Sequence, residues 1–387
     1  MSIKKKRIVS IDVLRGIAIL FMALDHTRDF FGPWQYDYLD INHTSLSIFF
    51  TRFITHFCAP AFILLAGVSI TLMRKKFTDN ELSIFLIKRG LFIILLEVTW
   101  ISLSWQFAFY NYILLQVMWV IGMSMVIMAI FIRFPVKFCL LVSLLIIFGH
   151  NLLDPYNDFL INNIGWFASW LTAKYNVVFS NGFKIITSYS VIPWFGVMLF
   201  GFSIGSIFKQ EENSRRRNLL FIGLSFLILF VVLRLTNSYG EVNVFEVYNS
   251  SAKTIISFFN VLKYPPSLHF CCLTLGVSFM LLYILDFIDI GKNNMFLVFG
   301  SVPMFFYLLH IPLIHLLSII FSHLYYHHPA NWFHFGKVTL SKMPKDYTLN
   351  LYIVYGVWIF IILIFYPLCR WYRTYKQNHD YKILTYL

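Results

Sequence analysis

Apolar runs of roughly 18 or more residues recur along the chain, separated by short polar segments. Each run is long enough to cross a hydrocarbon core of about 30 Å. A bilayer forces backbone groups to pair internally, as helices or as a closed barrel. The runs are continuously apolar rather than alternating, which selects helices. The pattern predicts about ten spans, at 8–31, 46–73, 88–105, 110–132, 136–153, 187–208, 218–236, 267–289, 294–323 and 349–372. No internal repeat, low-complexity tract or soluble stretch interrupts them. The expected architecture is all-α: a polytopic membrane protein forming a single transmembrane domain over residues 1–387.

The basic residues set an orientation. They cluster at 4–7, 74–76, 88–89 and 215–217, and at Arg370 and Arg373, all beside short connections. Of the 31 Lys and Arg, seven fall in the opposite connections: Lys174, Lys184, Lys253, Lys263, Lys337, Lys342 and Lys345. Four more, Arg15, Arg28, Arg52 and Arg234, fall within spans. The remaining twenty mark the cytoplasmic side, which places both termini inside. The long outer connections, about 154–186, 237–266 and 324–348, carry Trp166, Trp170, Tyr239, Tyr248 and Trp332. Amphipathic aromatics suit a membrane–water boundary. A basic start before an apolar run is also seen in signal peptides. Here Asp12 and Arg15 interrupt the run and no small-residue cleavage site follows, so a retained first helix is expected.

Composition agrees with a membrane chain: 59% hydrophobic and 13% charged residues, against about 25% charged in soluble domains. The net charge of +13 is explained by the topological clusters, so no nucleic-acid partner is expected. The partner is the lipid bilayer. Five cysteines lie in or beside apolar runs without ligand spacing and read as small core residues.

Candidate chemistry concentrates on the first helix. A charge at the centre of a span costs on the order of 2.5–3.5 kcal/mol on insertion scales. This helix nevertheless carries Asp12, Arg15, Asp25, Arg28 and Asp29, with His26. At about 100° per residue, Arg15, Met22, His26 and Asp29 fall on one stripe, which faces protein or water. Arg15 and His26 lie about 16 Å apart along the axis. Arg15 reads either as an ion-pair partner of Asp12 or as a donor-binding cation. His26 reads either as a packing residue or as a general base oriented by Asp25 or Asp29. On the second helix, Arg52 and His56 are four apart, ahead of a kink expected at Pro60. They form either a polar contact at the kink or a cationic pair for an oxyanion or phosphate. His310 and His315 lie about 140° apart round their helix and cannot easily share a metal. His323, His327 and His328 lack a supporting carboxylate or cysteine, so no metal is expected. Eleven of the twelve histidines fall in outer loops or within spans, most in the outer half by these spans.

Several segments together resemble one family. Ser10-Ile-Asp-Val-Leu-Arg-Gly16 resembles the opening of the heparan-α-glucosaminide N-acetyltransferase family. Asp25-His-Thr-Arg-Asp-Phe-Phe31, Thr55-His-Phe-Cys-Ala-Pro60 with Ala66-Gly67, and Pro193-Trp-Phe-Gly196 resemble its bacterial branch. So do Tyr264-Pro-Pro-Ser267 and Val302-Pro-Met-Phe-Phe-Tyr-Leu-Leu-His310. The Arg15-to-His26 spacing is also similar to that of a wider membrane acyltransferase group. The resemblance implies acetyl-coenzyme A as donor. It further implies a sugar or other envelope acceptor on the far side and a histidine near the outer end of the first helix. In the lysosomal members the catalytic histidine follows that helix, so His26 and His43 both stand as candidates. The reading that follows is an acyltransferase of the bacterial inner membrane, with His26, Asp25 and Asp29 catalytic. Arg15, Arg28, Arg52, His56 and His310 would bind substrate. A homo-oligomer is compatible with it. The alternative is a transporter or lipid flippase, since buried charges also mark transport pathways.

Overall fold

In the computed structural model of the chain, residues 8–32, 38–107, 112–171, 175–327, 350–379, 381 and 384 are described. The basic cluster 4–7 and Lys174, His328, Trp332, Lys337, Lys342 and Lys345 lie outside them. Each of the ten expected spans overlaps at least one helix. The first three are α1 (Val9–Phe31), α2 and α3 (Leu46–Phe53 and Cys58–Met73), and α4 and α5 (Asp79–Leu96 and Ser102–Gln106). Then come β1 (Tyr112–Leu115), α6 (Val117–Phe131), α7 (Val136–Gly149), α8 (Asn157–Ile164) and α9 (Ala168–Leu171). Strands β2 (Tyr175–Val178) and β3 (Lys184–Thr187) precede α10 (Val191–Ile204), α11 (Glu212–Thr236) and α12 (Ser251–Phe259). The chain continues through α13 (Leu268–Leu285), α14 (Met295–Ser301), α15 (Pro303–Tyr325) and α16 (Leu351–Asn378).

Among the described residues, seven helical stretches are long and apolar enough to cross a membrane. Val117–Phe131 is apolar but shorter. α1 falls outside the seven because of its five charged side chains, and α4 also carries charge, at Asp79, Glu81, Lys88 and Arg89. Local sequence explains most helix starts. Thr78 and Glu81 form a reciprocal capping box on α4. Ser267 caps α13 and Asn350 caps α16. The break expected at Pro60 occurs just before it, as a 3-10 turn over Ile54–Phe57. Pro60 itself sits in the first turn of α3, where its missing N–H costs least.

The expected span 110–132 needs correction, and with it the purely helical reading. Its start is a strand. β1 pairs parallel with β3, and β3 pairs antiparallel with β2. Polar groups at the end of the previous helix direct this. The Ser102 hydroxyl accepts the Leu114 amide at 3.2 Å, and the Gln106 side chain binds both the Tyr112 carbonyl and the Tyr112 amide. The buried Glu97 carboxylate accepts the Gln116 amide at 2.7 Å. Glu97 opens a π turn, Glu97–Ile101, that joins α4 to α5. The sheet brings Tyr112, Leu114 and Ile186 to the end of α1 where His26 lies.

α1 is central, packing against α3, α14, α15 and α16. Its contact with α14 depends on two glycines. A Cβ on Gly16 would stand 1.9 Å from the Phe296 carbonyl oxygen, and one on Gly300 would stand 1.7 Å from the Asp12 carbonyl oxygen. Such close backbone approach admits no side chain. Gly300→Ala should therefore destabilise the protein by about 1–3 kcal/mol, as overpacking does. Gly356→Ala on α16 meets no atom within 4 Å and should be neutral or stabilising. Unfolding midpoints in detergent check the pair. An unchanged midpoint for Gly300→Ala would refute the close packing.

Arg234 anchors the segment after α11. Its guanidinium is fully buried and donates to the carbonyls of Asn243, Ser257, Phe258 and Asn260. Nearby, Glu241 accepts the Ser267 hydroxyl at 2.6 Å and the Leu262 amide at 3.0 Å. Burial pushes the Glu241 carboxyl above its ordinary range, against the pull of these bonds. Together they fix the path of Lys263 and Tyr264.

Candidate active site

A cavity of about 440 Å³ opens at the end of α1. α1 supplies Met22, Asp25, His26, Arg28 and Asp29 to its wall; Arg52 and Thr55 come from α2 and the turn after it. The lining is also aromatic, with Trp105, Tyr112, Tyr189 and Tyr264. The polar stripe expected on α1 is thus present and turned inward.

The ion pairs differ from expectation. Asp25 does not orient His26. Its carboxylate accepts Arg52 Nη1 at 2.9 and 3.0 Å, the Thr55 hydroxyl at 2.9 Å and Arg28 Nη2 at 2.8 Å. Arg28 Nη2 also reaches Asp29 at 2.6 Å and so bridges the two carboxylates. Arg52 and Arg28 therefore neutralise acids that would otherwise stand unpaired in a low dielectric. His26 Nδ1 stands 3.8 Å from Asp29 Oδ2, beyond hydrogen-bond distance, and has no hydrogen-bond partner among the described residues. Asp29 is the carboxylate that can orient the ring after a small shift.

Behind His26 lies His310, with ring centroids 5.2 Å apart. His310 is fully buried, and its Nδ1 donates to the carbonyls of Phe306 and Tyr307. That fixes the tautomer and leaves Nε2 an acceptor without a partner among the described residues. Trp105 packs edge-on against His26 at 5.2 Å.

Two other candidates fall away from the cavity. The 3-10 turn removes His56 from the face of Arg52. His56 is buried between Phe53 and Phe270, and neither ring nitrogen has a partner among the described residues. It is not half of a cationic pair. His43 is exposed and bound to Asp40 at 2.7 Å, away from the cavity wall. The Asn42 amide and His43 hold the Asp40 carboxyl below the usual carboxylate range.

A second cavity, of about 310 Å³, lies nearer the start of α1. Arg15, Arg89 and Lys376 line it among largely apolar side chains such as Phe85, Met118 and Met125. Arg15 is the ion-pair partner of Asp12, at 3.2 Å, and it also lines this cavity. It bonds Ser69 and the Leu65 carbonyl as well. Met22, Phe62, Val117 and Tyr307 line both cavities.

Sequence reasoning missed Lys263, Tyr189, Tyr307 and Glu97. Lys263 counted as a loop cation, yet it is only 5% exposed and stands 5.0 Å over the Tyr264 ring. Its position before Tyr264-Pro-Pro at the mouth of a span was the available signal. Glu97 was detectable as a lone carboxylate in an apolar span. Among the described residues no group of three or more His, Cys, Asp or Glu is placed to hold a metal.

A mostly helical membrane bundle with a histidine and two carboxylates sunk between its spans defines the class. A family model, heparan-alpha-glucosaminide N-acetyltransferase, catalytic, matches residues 7–238, and the chain belongs to that family of membrane acetyltransferases. The matched region contains Arg15, Asp25, His26 and Arg52 and ends before Lys263, Tyr307 and His310. A search of curated proteins finds no match to the chain.

Proposed function

We propose that this protein moves an acetyl group from acetyl-coenzyme A in the Arg15 cavity to an acceptor in the His26 cavity. The observation that carries this reading is that two cavities, one cationic at its far end and one holding a histidine–carboxylate set, share four lining residues midway along α1. The Arg15-to-His26 rise of about 16 Å suits an extended pantetheine arm. The nucleotide phosphates lie at Arg15, Arg89 and Lys376, where cations pair with them. The basic-residue bias puts that end, and both termini, in the cytoplasm, and the His26 cavity on the outer side of a bacterial inner membrane. His26 takes the proton of the attacking hydroxyl or amine, and Asp29 orients the imidazolium that forms. The aromatic wall of Trp105, Tyr112, Tyr189 and Tyr264 suits an envelope sugar. Lys263 and Arg52 leave the cavity with one more cation than carboxylate.

Purified protein in detergent should release coenzyme A from acetyl-coenzyme A, faster with a sugar acceptor present. A transporter or flippase would release none. Arg15→Gln should weaken donor binding about tenfold, the loss of one charge-assisted pair. The Asp12→Asn, Arg15→Gln double variant removes the ion-pair requirement and separates folding from binding. Wild-type donor affinity in that variant would remove Arg15 from the donor site.

A further inference from the structure

Tyr307 has a second role open to it, and the inference rests on the transfer reaction above. Of the four residues that line both cavities, Met22, Phe62 and Val117 are apolar, and Tyr307 alone carries a hydroxyl. Tyr307 is 7% exposed, and its hydroxyl is buried without a hydrogen-bond partner among the described residues. A buried hydroxyl left unpaired is a cost to the fold. The cost disappears when an acceptor atom arrives at the junction. Tyr307 sits on α15 one turn before His310, with ring centroids 5.4 Å apart, and His310 in turn stands 5.2 Å from His26. Tyr307 and His26 thus both pack against His310 and both line the first cavity.

We infer that Tyr307 is a catalytic residue whose O–H donates to the thioester carbonyl oxygen as negative charge develops on it. The acceptor oxygen or nitrogen bonds to the carbonyl carbon while His26 takes its proton. The C=O π pair moves onto oxygen, against the Tyr307 hydroxyl, which keeps its proton. The pair then returns, the C–S bond breaks, and the thiolate of coenzyme A leaves and takes the proton from His26. A donor preorganised at that point, in a site shielded from water, acts where charge develops and needs no reorganisation. Of the four side chains shared by the two cavities, the other three have no N–H or O–H.

Tyr307→Phe removes the hydroxyl and keeps the ring. Transfer from acetyl-coenzyme A should fall by about 10²–10³-fold in kcat, the range for losing one oxyanion donor, with donor KM within about threefold. Because no internal partner is lost, the unfolding midpoint should not drop. A second readout is free of turnover. A carba(dethia) analogue of acetyl-coenzyme A keeps the carbonyl, whereas S-ethyl-coenzyme A lacks it. Wild type should bind the first more tightly than the second, and Tyr307→Phe should bind the two alike. Wild-type turnover in Tyr307→Phe, or an analogue preference that survives the substitution, would overturn the inference and leave the transfer reaction standing. Absence of both turnover and acyl-coenzyme A binding in the wild type would overturn the two together.

Discussion

His26→Ala should lower acetyl transfer by about two to four orders of magnitude, the range for removing a positioned general base. The ring lines the first cavity beside Trp105 and His310, whereas Arg15, Arg89 and Lys376 line the second. Acetyl-coenzyme A binding, measured by calorimetry, should therefore stay within a few-fold of wild type. His43→Ala is the internal comparison, because His43 is exposed and tied to Asp40 outside the cavity. It should keep nearly full activity. The reverse pattern would move the base to the connection after α1. Asp29→Asn should give an intermediate loss, since Asp29 acts on the reaction through His26.

Arg52→Met should destabilise the fold by about 3 kcal/mol. That is the low end for breaking a buried ion pair, because Arg28 and Thr55 still reach Asp25. The side chains of Arg52 and Asp25 are 14% and 13% exposed, so little solvent screens the pair. The Asp25→Asn, Arg52→Met double variant should recover most of the loss, since no charge is then stranded. Unfolding midpoints for the two single variants and the double form a cycle. Simple additivity would show that the pair is not coupled and that Asp25 owes its place to Arg28 alone.

The sequence made the spans readable because burial in lipid demands long apolar runs, and those runs leave little ambiguity. It also made the stripe on α1 readable, since helical periodicity alone places Arg15, Met22, His26 and Asp29 on one face. It did not disclose which carboxylate meets which cation. Asp25 and Arg52 are 27 positions apart, and nothing in the spacing favours Arg52 over His26 as the partner of Asp25. The strand at Tyr112–Leu115 was invisible for a related reason. Tyr-Ile-Leu-Leu is as apolar as the helix that follows it, and only distant groups, Ser102, Gln106 and Thr187 among them, decide its conformation. His56 shows the converse failure: the four-residue spacing from Arg52 was right for an α-helix, and the chain there is a 3-10 turn.

The junction of the two cavities bears on the cell's energy supply as well as on chemistry. A passage from the charged His26 cavity to the largely apolar Arg15 cavity would invite a chain of waters, and such a chain conducts protons. Met22, Phe62 and Val117 offer that chain no hydrogen bonds, which leaves the Tyr307 hydroxyl as the one polar side-chain group shared by the two cavities, and apolar constrictions tend to empty of water. Under the transfer reaction proposed above, a pantetheine arm laid past these side chains would take the place of such a chain, so that donor binding and proton leakage across the bilayer exclude each other.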